Sequence, residues 1–263
     1  MLRADHLSFR YGAAGPEVLT DVTADFPKGT IVGILGPNGS GKTTLLRLLS
    51  GTRRPTQGAV FLDGTSLANL SRRSVAQRMA VVPQETQLAF EYTVLEMVLM
   101  ARHPHLGLFE LEKPHDFAIV HDALRATGTE DLEDRRFSTL SGGEKQRVVI
   151  AAALAQSSEI LLLDEPTASL DLGYQLEVAA LVTRLNRERG VTIVVSTHDL
   201  NFAATICGEL VMLRDGHVIA AGETARVLTS QNVERLYDVT ADVRAHGPSG
   251  HLVVVPVARV SRE

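Results

Sequence analysis

Residues 30–51 read TIVGILGPNGSGKTTLLRLLSG. The stretch opens as a continuous apolar run of strand type. Its last part places Leu45, Leu48 and Leu49 on one helical face and ends on Gly51, a helix stop signal. Between strand and helix lies G-x-x-x-x-G-K-T, the pattern of a phosphate-cradling loop in the context that pattern requires. The glycines let backbone N–H groups turn inward, and the helix N-terminus adds the positive end of its dipole. Gly36, Pro37, Asn38, Gly39, Ser40, Gly41, Lys42, Thr43 and Thr44 are therefore candidate nucleotide-binding residues. Lys42 is placed to reach β- and γ-phosphates, and the Thr43 hydroxyl to bind Mg²⁺.

Working outward, three more apolar runs follow: MAVVPQ (79–84), EILLLDEP (159–166) and TIVVSTHD (192–199). Interleaved with helical segments, they predict an α/β fold with a parallel sheet covered on both faces. One such helical segment, residues 176–190, carries Val178, Leu181, Val182 and Leu185 on one stripe. Asp164 ends the second run, where it can hold Mg²⁺ through water. Glu165 is beside it, placed to orient and polarise an attacking water. Gln84 and His198 sit just beyond the ends of the other two runs, where open α/β sheets place their ligands. Phosphoryl transfer asks mainly for positioning and charge stabilisation, which these groups can supply.

Before the phosphate loop, HLSFRYG (6–12) alternates like a strand, and after it GAVFLDG (58–64) is a strand bounded by turn glycines. Residues 86–138 differ from both flanks and read as a helical insertion. Thr93 and Glu96 have capping-box spacing, and Phe117, Val120 and Leu124 share a helical face. Asp215-Gly216 marks a hairpin turn. From residue 224 the chain has short helical signals and closes on a strand pair around GPSG. The chain thus divides into a core (1–85 with 139–223), a helical insertion (86–138) and a C-terminal extension (224–263).

Composition narrows the partners. The net charge of −5 carries no electrostatic footprint for nucleic acid. The single cysteine, Cys207, excludes an internal disulfide and a cysteine-based zinc cluster, and its apolar surroundings read as core. The longest apolar run, VVIAAALA, is too short to span a bilayer, and the N-terminus lacks the pattern of a signal peptide. A soluble, cytosolic chain is expected, reaching any membrane only through another subunit.

STLSGGEKQR (138–147) is a second glycine-rich helix start. Ser141 and Glu144 have capping-box spacing, and a simple cap is one reading. The paired glycines Gly142 and Gly143 suggest another, a close approach of backbone to a ligand. Exposed N–H groups, a serine hydroxyl and a helix dipole form an anion site without a lysine of its own. Such a site is explained if it closes over the nucleotide bound by another copy, so that two chains sandwich two nucleotides.

Taken together, LSGGEKQR, GPNGSGKT, Gln84, ILLLDEP, SLD and His198 closely resemble the ATPase subunit of ATP-binding-cassette transporters. The resemblance covers nearly the whole chain, with the motifs in the family's order. It implies a P-loop nucleotide hydrolase core, an N-terminal antiparallel β subdomain and an inserted helical subdomain. It implies ATP and Mg²⁺ as ligands, with Lys42, Gln84, Glu165 and His198 catalytic and Thr43, Gln84 and Asp164 near the metal. By the same resemblance Ser141, Gly142 and Gly143 contact the γ-phosphate of an opposing copy. Ser169, Leu170 and Asp171 match the dimer-contact loop, and Tyr11 the aromatic residue that stacks on adenine.

TVLEMVLMARHPHLGLF (93–109) and the ending LYDVTADV…HLVVVPV resemble importers of iron–siderophore, haem and vitamin B12. There a G-R-x-P-H motif is common; here Ala101 replaces the glycine before Arg102, His103, Pro104 and His105. The implied partners are a second copy, separate transmembrane permease subunits and, indirectly, a substrate-binding protein. The helical insertion and Gln84 are the expected docking groove for a short helix of the permease, a reading prompted by the apolar face of residues 94–101 beside Gln84. Two other readings stay open: an assembly ATPase of the same kind, such as one serving iron–sulfur scaffolds, and a non-hydrolysing nucleotide switch.

Overall fold

The structure is a computed structural model. It describes residues 1–260 except positions 13, 87–89, 157, 169, 248 and 249. In chain order the first elements are β1 (Leu2–Arg10), β2 (Glu17–Phe26), β3 (Ile31–Leu35), α1 (Lys42–Leu49), β4 (Gln57–Leu62), β5 (Thr65–Ser66), α2 (Arg72–Ala76) and β6 (Met79–Val82). The insertion contributes α3 (Val94–Met100) and α4 (Pro114–Thr127). Then come α5 (Gly142–Ala155), β7 (Ile160–Asp164), α6 (Leu172–Arg189), β8 (Thr192–Thr197), α7 (Leu200–Ile206), β9 (Glu209–Arg214) and β10 (His217–Glu223). The tail holds α8 (Thr224–Val227), α9 (Ser230–Tyr237), β11 (Val239–Ala245) and β12 (Leu252–Arg259).

Six strands form the central sheet in the order β10-β9-β3-β8-β7-β6. All neighbours pair in parallel except β10, which returns antiparallel from β9 through Asp215-Gly216. Both turn residues have positive φ, 49° and 78°, the backbone of a two-residue hairpin turn. Burial on both faces explains why β3, β7 and β8 read as unbroken apolar runs. Alternate residues feed different cores. Val32 and Ile34 pack with Leu45 and Leu49, while Ile31 and Leu35 join the core shared with α5 and α6.

The antiparallel sheet has the order β2-β1-β4-β5. β1 begins at Leu2, earlier than the alternation in residues 6–12 suggests, and its alternation breaks at a register shift around His6, whose φ is 51°. Helix α1 lies between this sheet and the central one. Leu46 is buried beside Leu45, Leu48 and Leu49, so the helix is enclosed on more than one face. Each fully buried leucine contributes about 1.5–3 kcal/mol of transfer free energy.

In the insertion, Thr93 caps α3 through the expected capping box with Glu96. Much of the apolar face of residues 94–101 is turned inward rather than open as the expected groove. Val94, Met97 and Val98 are buried, with α3 packed on α5 and α4, while Met100 stays exposed. Arg102 is also internal: its Nε donates to Asp116 at 2.9 Å and its Nη1 to Ala155 O at 2.7 Å. His105 Nε2 lies 2.8 Å from Gln156 O. These two motif residues fasten the insertion to the end of α5. Ala101 has φ −67°, ordinary right-handed backbone where alanine is at ease. Apolar side chains left outside in the insertion include Phe90, Met100 and Leu111, and above all Leu108 and Phe109, 88% and 96% exposed.

The tail packs back on the core, with α9 against β9 and β10 and β12 against α7. Cys207 is buried, and burial alone pushes its thiol well above the ordinary value. Among the described residues no helix is long and apolar enough to cross a membrane.

Candidate active site

The site gathers where β3, β7 and β8 end. The loop from Gly36 to Gly41 turns the chain from β3 into α1. Gly36 has no room for a side chain: a Cβ there would stand 2.2 Å from Leu213 O. Gly41 has φ 104°, a backbone that only glycine adopts readily. Lys42 follows and is 5% exposed. Its Nζ donates to Gly36 O at 2.9 Å and Pro37 O at 3.2 Å, and pairs with Glu165 Oε1 at 3.2 Å.

Asp164, the last residue of β7, is buried and accepts two hydroxyl hydrogen bonds. Thr43 Oγ1 donates to its Oδ1 at 3.1 Å and Ser196 Oγ to the same atom at 2.6 Å. Ser196 also accepts the backbone N–H of Glu165 at its Oγ, 3.2 Å away, and at its carbonyl, 3.1 Å away. Glu165 has φ 46°. A left-handed backbone at a residue with a side chain is costly and clusters at functional sites. Here it swings the carboxylate off the strand to lie between Lys42 and His198: Oε1 faces Lys42 and Oε2 lies 3.1 Å from His198 Nδ1.

A cavity of ≈ 660 Å³ joins these groups, lined by Asn38, Gly39, Gly41, Lys42, Thr43, Thr44, Gln84, Glu165 and His198. Val18, Thr167, Ala168, Gln175, Thr197 and Asp199 complete its wall. Sequence reasoning missed these six and Ser196. The one signal available for Ser196 was a polar residue inside an apolar strand run. Tyr11 is beside the cavity rather than in its wall. Its hydroxyl is 3.1 Å from Thr44 Oγ1, and its ring meets Phe9 edge-on at 4.8 Å between centroids. Ser40 is buried, with its N–H donating to Pro37 O.

Ser141, Gly142, Gly143 and Asp171 are also outside this cavity. Ser141 caps α5, accepting from Glu144 N at 3.4 Å while Glu144 Oε2 accepts from Ser141 N at 2.8 Å. That backbone N–H, followed by the Ser141 hydroxyl, holds the Glu144 carboxyl below its ordinary range. A Cβ on Gly143 would strike the Tyr174 ring at 2.2 Å, whereas one on Gly142 would meet only Leu170 at 3.5 Å. Asp171 caps α6 by accepting from Tyr174 N at 3.1 Å. Ser169 lies outside the described residues. The second glycine is therefore required by the chain's own packing and the first is not.

A hydroxyl and a carboxylate converging at Thr43 and Asp164 form an oxygen donor set that suits Mg²⁺, which keeps several waters and takes one or two carboxylates plus phosphates. Among the described residues there is no cluster of three histidine, cysteine or acidic side chains for another metal.

Comparison with known proteins agrees with this geometry. The family model described as ABC transporter matches residues 19–168. The ferric enterobactin transport ATP-binding protein FepC of Escherichia coli K12 is 38% identical over 99% of this chain and 95% of its own length. The cobalamin import ATP-binding protein BtuD of Halobacterium salinarum is 41% identical over 93% of this chain, which spans 61% of that longer relative. A solved transporter described as of the metal-chelate ABC type, in an inward-facing conformation, superposes with a TM-score of 0.85 at 33% identity. It covers 97% of this chain and 96% of its own. A dimeric ATP-binding cassette in a post-hydrolysis state with ADP and phosphate gives 0.74 at 29% identity, covering 85% and 99%. The chain belongs to the ABC transporter family of ATP-binding ATPases.

Proposed function

We propose that this protein is the ATP-hydrolysing subunit of an importer for metal chelates: haem, iron–siderophore or vitamin B12. It works on the inner face of the membrane as a head-to-tail pair of copies attached to separate permease subunits that receive cargo from a substrate-binding protein. The observation that carries the reading is the division of parts. One cavity is lined by Lys42, Thr43, Gln84, Glu165 and His198, with Asp164 hydrogen-bonded to Thr43 behind its wall, while the anion-binding start of α5 at Ser141 and Gly142 is outside it. The dimeric solved cassette supports closing one copy's α5 over the other's cavity. The ferric enterobactin and cobalamin relatives support the cargo class. Exposed Leu108, Phe109 and Leu111 support contact with a partner that covers them.

The residues divide the labour as follows. Backbone N–H groups of residues 36–44 and the Lys42 ammonium bind the phosphates of ATP, and Tyr11 borders the base. Glu165 holds the attacking water and takes up its proton; His198 orients the Glu165 carboxylate. Mg²⁺ would be held by Thr43 and, through water, by Asp164, with Gln84 nearby, and would supply charge neutralisation on the phosphates. Ser141, Gly142 and Gly143 of the second copy complete the phosphate contacts, with Leu170 and Asp171 at the seam. The core (1–85 and 139–223) carries the chemistry, the insertion (86–138) the coupling, and the extension (224–263) packs on the core.

Glu165→Gln tests the assignment. It keeps the shape of the side chain and removes the base. ATP binding is expected to persist while turnover falls by about 10²- to 10³-fold, the usual effect of losing a key electrostatic group. Wild-type turnover in that variant would refute the role.

A further inference from the structure

A tyrosine of the C-terminal extension, far along the chain from the nucleotide motifs, reaches His198. Tyr237, the last residue of α9, donates its hydroxyl to the main-chain carbonyl of His198 at 3.1 Å. Its ring is half-buried beside two acidic residues. Burial first, then the charges of Asp199 and Glu165, push the phenol well above its ordinary value of 10.0. The hydroxyl therefore stays protonated, and a donor, throughout the neutral range.

Neither end of this contact is loose. The Arg214 guanidinium, at the end of β9, donates to the carbonyl of Arg235 and to both carboxylate oxygens of Asp238, at 3.2 Å and 2.5 Å for the latter pair. The turn that follows Arg214 touches the phosphate loop, where Gly216 N donates to Ser40 O at 3.2 Å. On the other side, Asn201 presents its whole amide to β12. Val254 N donates to Asn201 Oδ1 at 2.8 Å, and Asn201 Nδ2 donates to Val254 O at 3.2 Å. The tail thus grips the chain at His198 and again three residues later.

We propose that Tyr237 is a positioning residue for ATP hydrolysis: it fixes the main chain of His198 so that the imidazole keeps its approach to Glu165. The C-terminal extension thereby sets the turnover rate without touching nucleotide. The proposal rests on the catalytic roles given above to Glu165 and His198. A ring that served only as packing would do so equally well without its oxygen, so the hydroxyl is what must be tested.

Tyr237→Phe in the full chain removes only that oxygen. Expected is a kcat lower by about 3- to 10-fold, the worth of one neutral hydrogen bond, with KM for ATP within about twofold. The same substitution in a His198→Ala background, followed by single-turnover assay with protein in excess, is expected to have no further effect, because residues acting through one another are not additive. An equal loss in both backgrounds, or a raised KM with kcat unchanged, overturns the proposal. An active wild type, a slow His198→Ala and a Tyr237→Phe at full rate also overturn it while leaving the catalytic assignment intact. If His198→Ala turns over at the wild-type rate, the assignment itself fails and the proposal with it.

Discussion

At the scale of single residues, the two glycines that open α5 separate two kinds of constraint. Gly143→Ala drives a methyl into the Tyr174 ring. Overpacking of this kind costs about 1–3 kcal/mol, and a lowered Tm of the isolated chain is expected. Gly142→Ala meets nothing closer than Leu170 at 3.5 Å, so Tm is expected to be unchanged. Turnover of the Gly142 variant is nonetheless expected to fall if, as proposed, this glycine meets the phosphates bound by a second copy. Full activity with unchanged Tm would argue that this glycine serves neither purpose. The sequence shows a glycine pair but not which member answers to which neighbour, since Tyr174 is brought to Gly143 only by the packing of α6 on α5. Ser196 and Tyr237 were hidden for the same reason. Each acts across the fold, on Asp164 and on the His198 carbonyl, with no local spacing to announce it.

At the scale of elements, the insertion is pinned by one carboxylate. Asp116 accepts the Lys113 N–H at 3.0 Å and the Arg102 Nε at 2.9 Å. That backbone N–H first, and then the guanidinium, hold its carboxyl below the ordinary value of 3.8. A folded-state value below the unfolded one stabilises the fold at pH above the unfolded value and is lost as pH falls through the folded one. The Tm gap between wild type and Asp116→Asn is therefore expected to be full above about pH 5 and to shrink below about pH 4. A gap that does not change with pH would assign the effect to packing. Strands and helices themselves were largely legible, because buried parallel strands write continuous apolar runs and helices write caps. Thr93, Ser141 and Gly51 all act at helix ends as their types predict. What failed was the fate of the stripe on residues 94–101. Periodicity tells that a face is apolar, and only the neighbouring α5 tells that it is already covered.

At the scale of the whole molecule, the separation of the cavity from the start of α5 has a kinetic meaning. Ser141→Arg places bulk and charge where no residue of the same cavity stands. ATP binding by the isolated chain is expected to be nearly unchanged, and ATP-dependent pairing to be lost, as read by size-exclusion chromatography of the Glu165→Gln background with and without the second substitution. Loss of binding by the single chain would place α5 in its own site instead. The order of motifs made the overall architecture readable from the sequence, while the tail could be read as a strand pair but not as a grip on the chain at His198 and Asn201. One further consequence follows from the ion pair between Lys42 and Glu165 at 3.2 Å. On the roles proposed above, the ammonium that would bind phosphate is paired with the carboxylate that would hold water, so the two functions are tied to each other. A nucleotide, with more negative charge than one carboxylate, would compete for the lysine and so free the base. Loading and arming would then be one event.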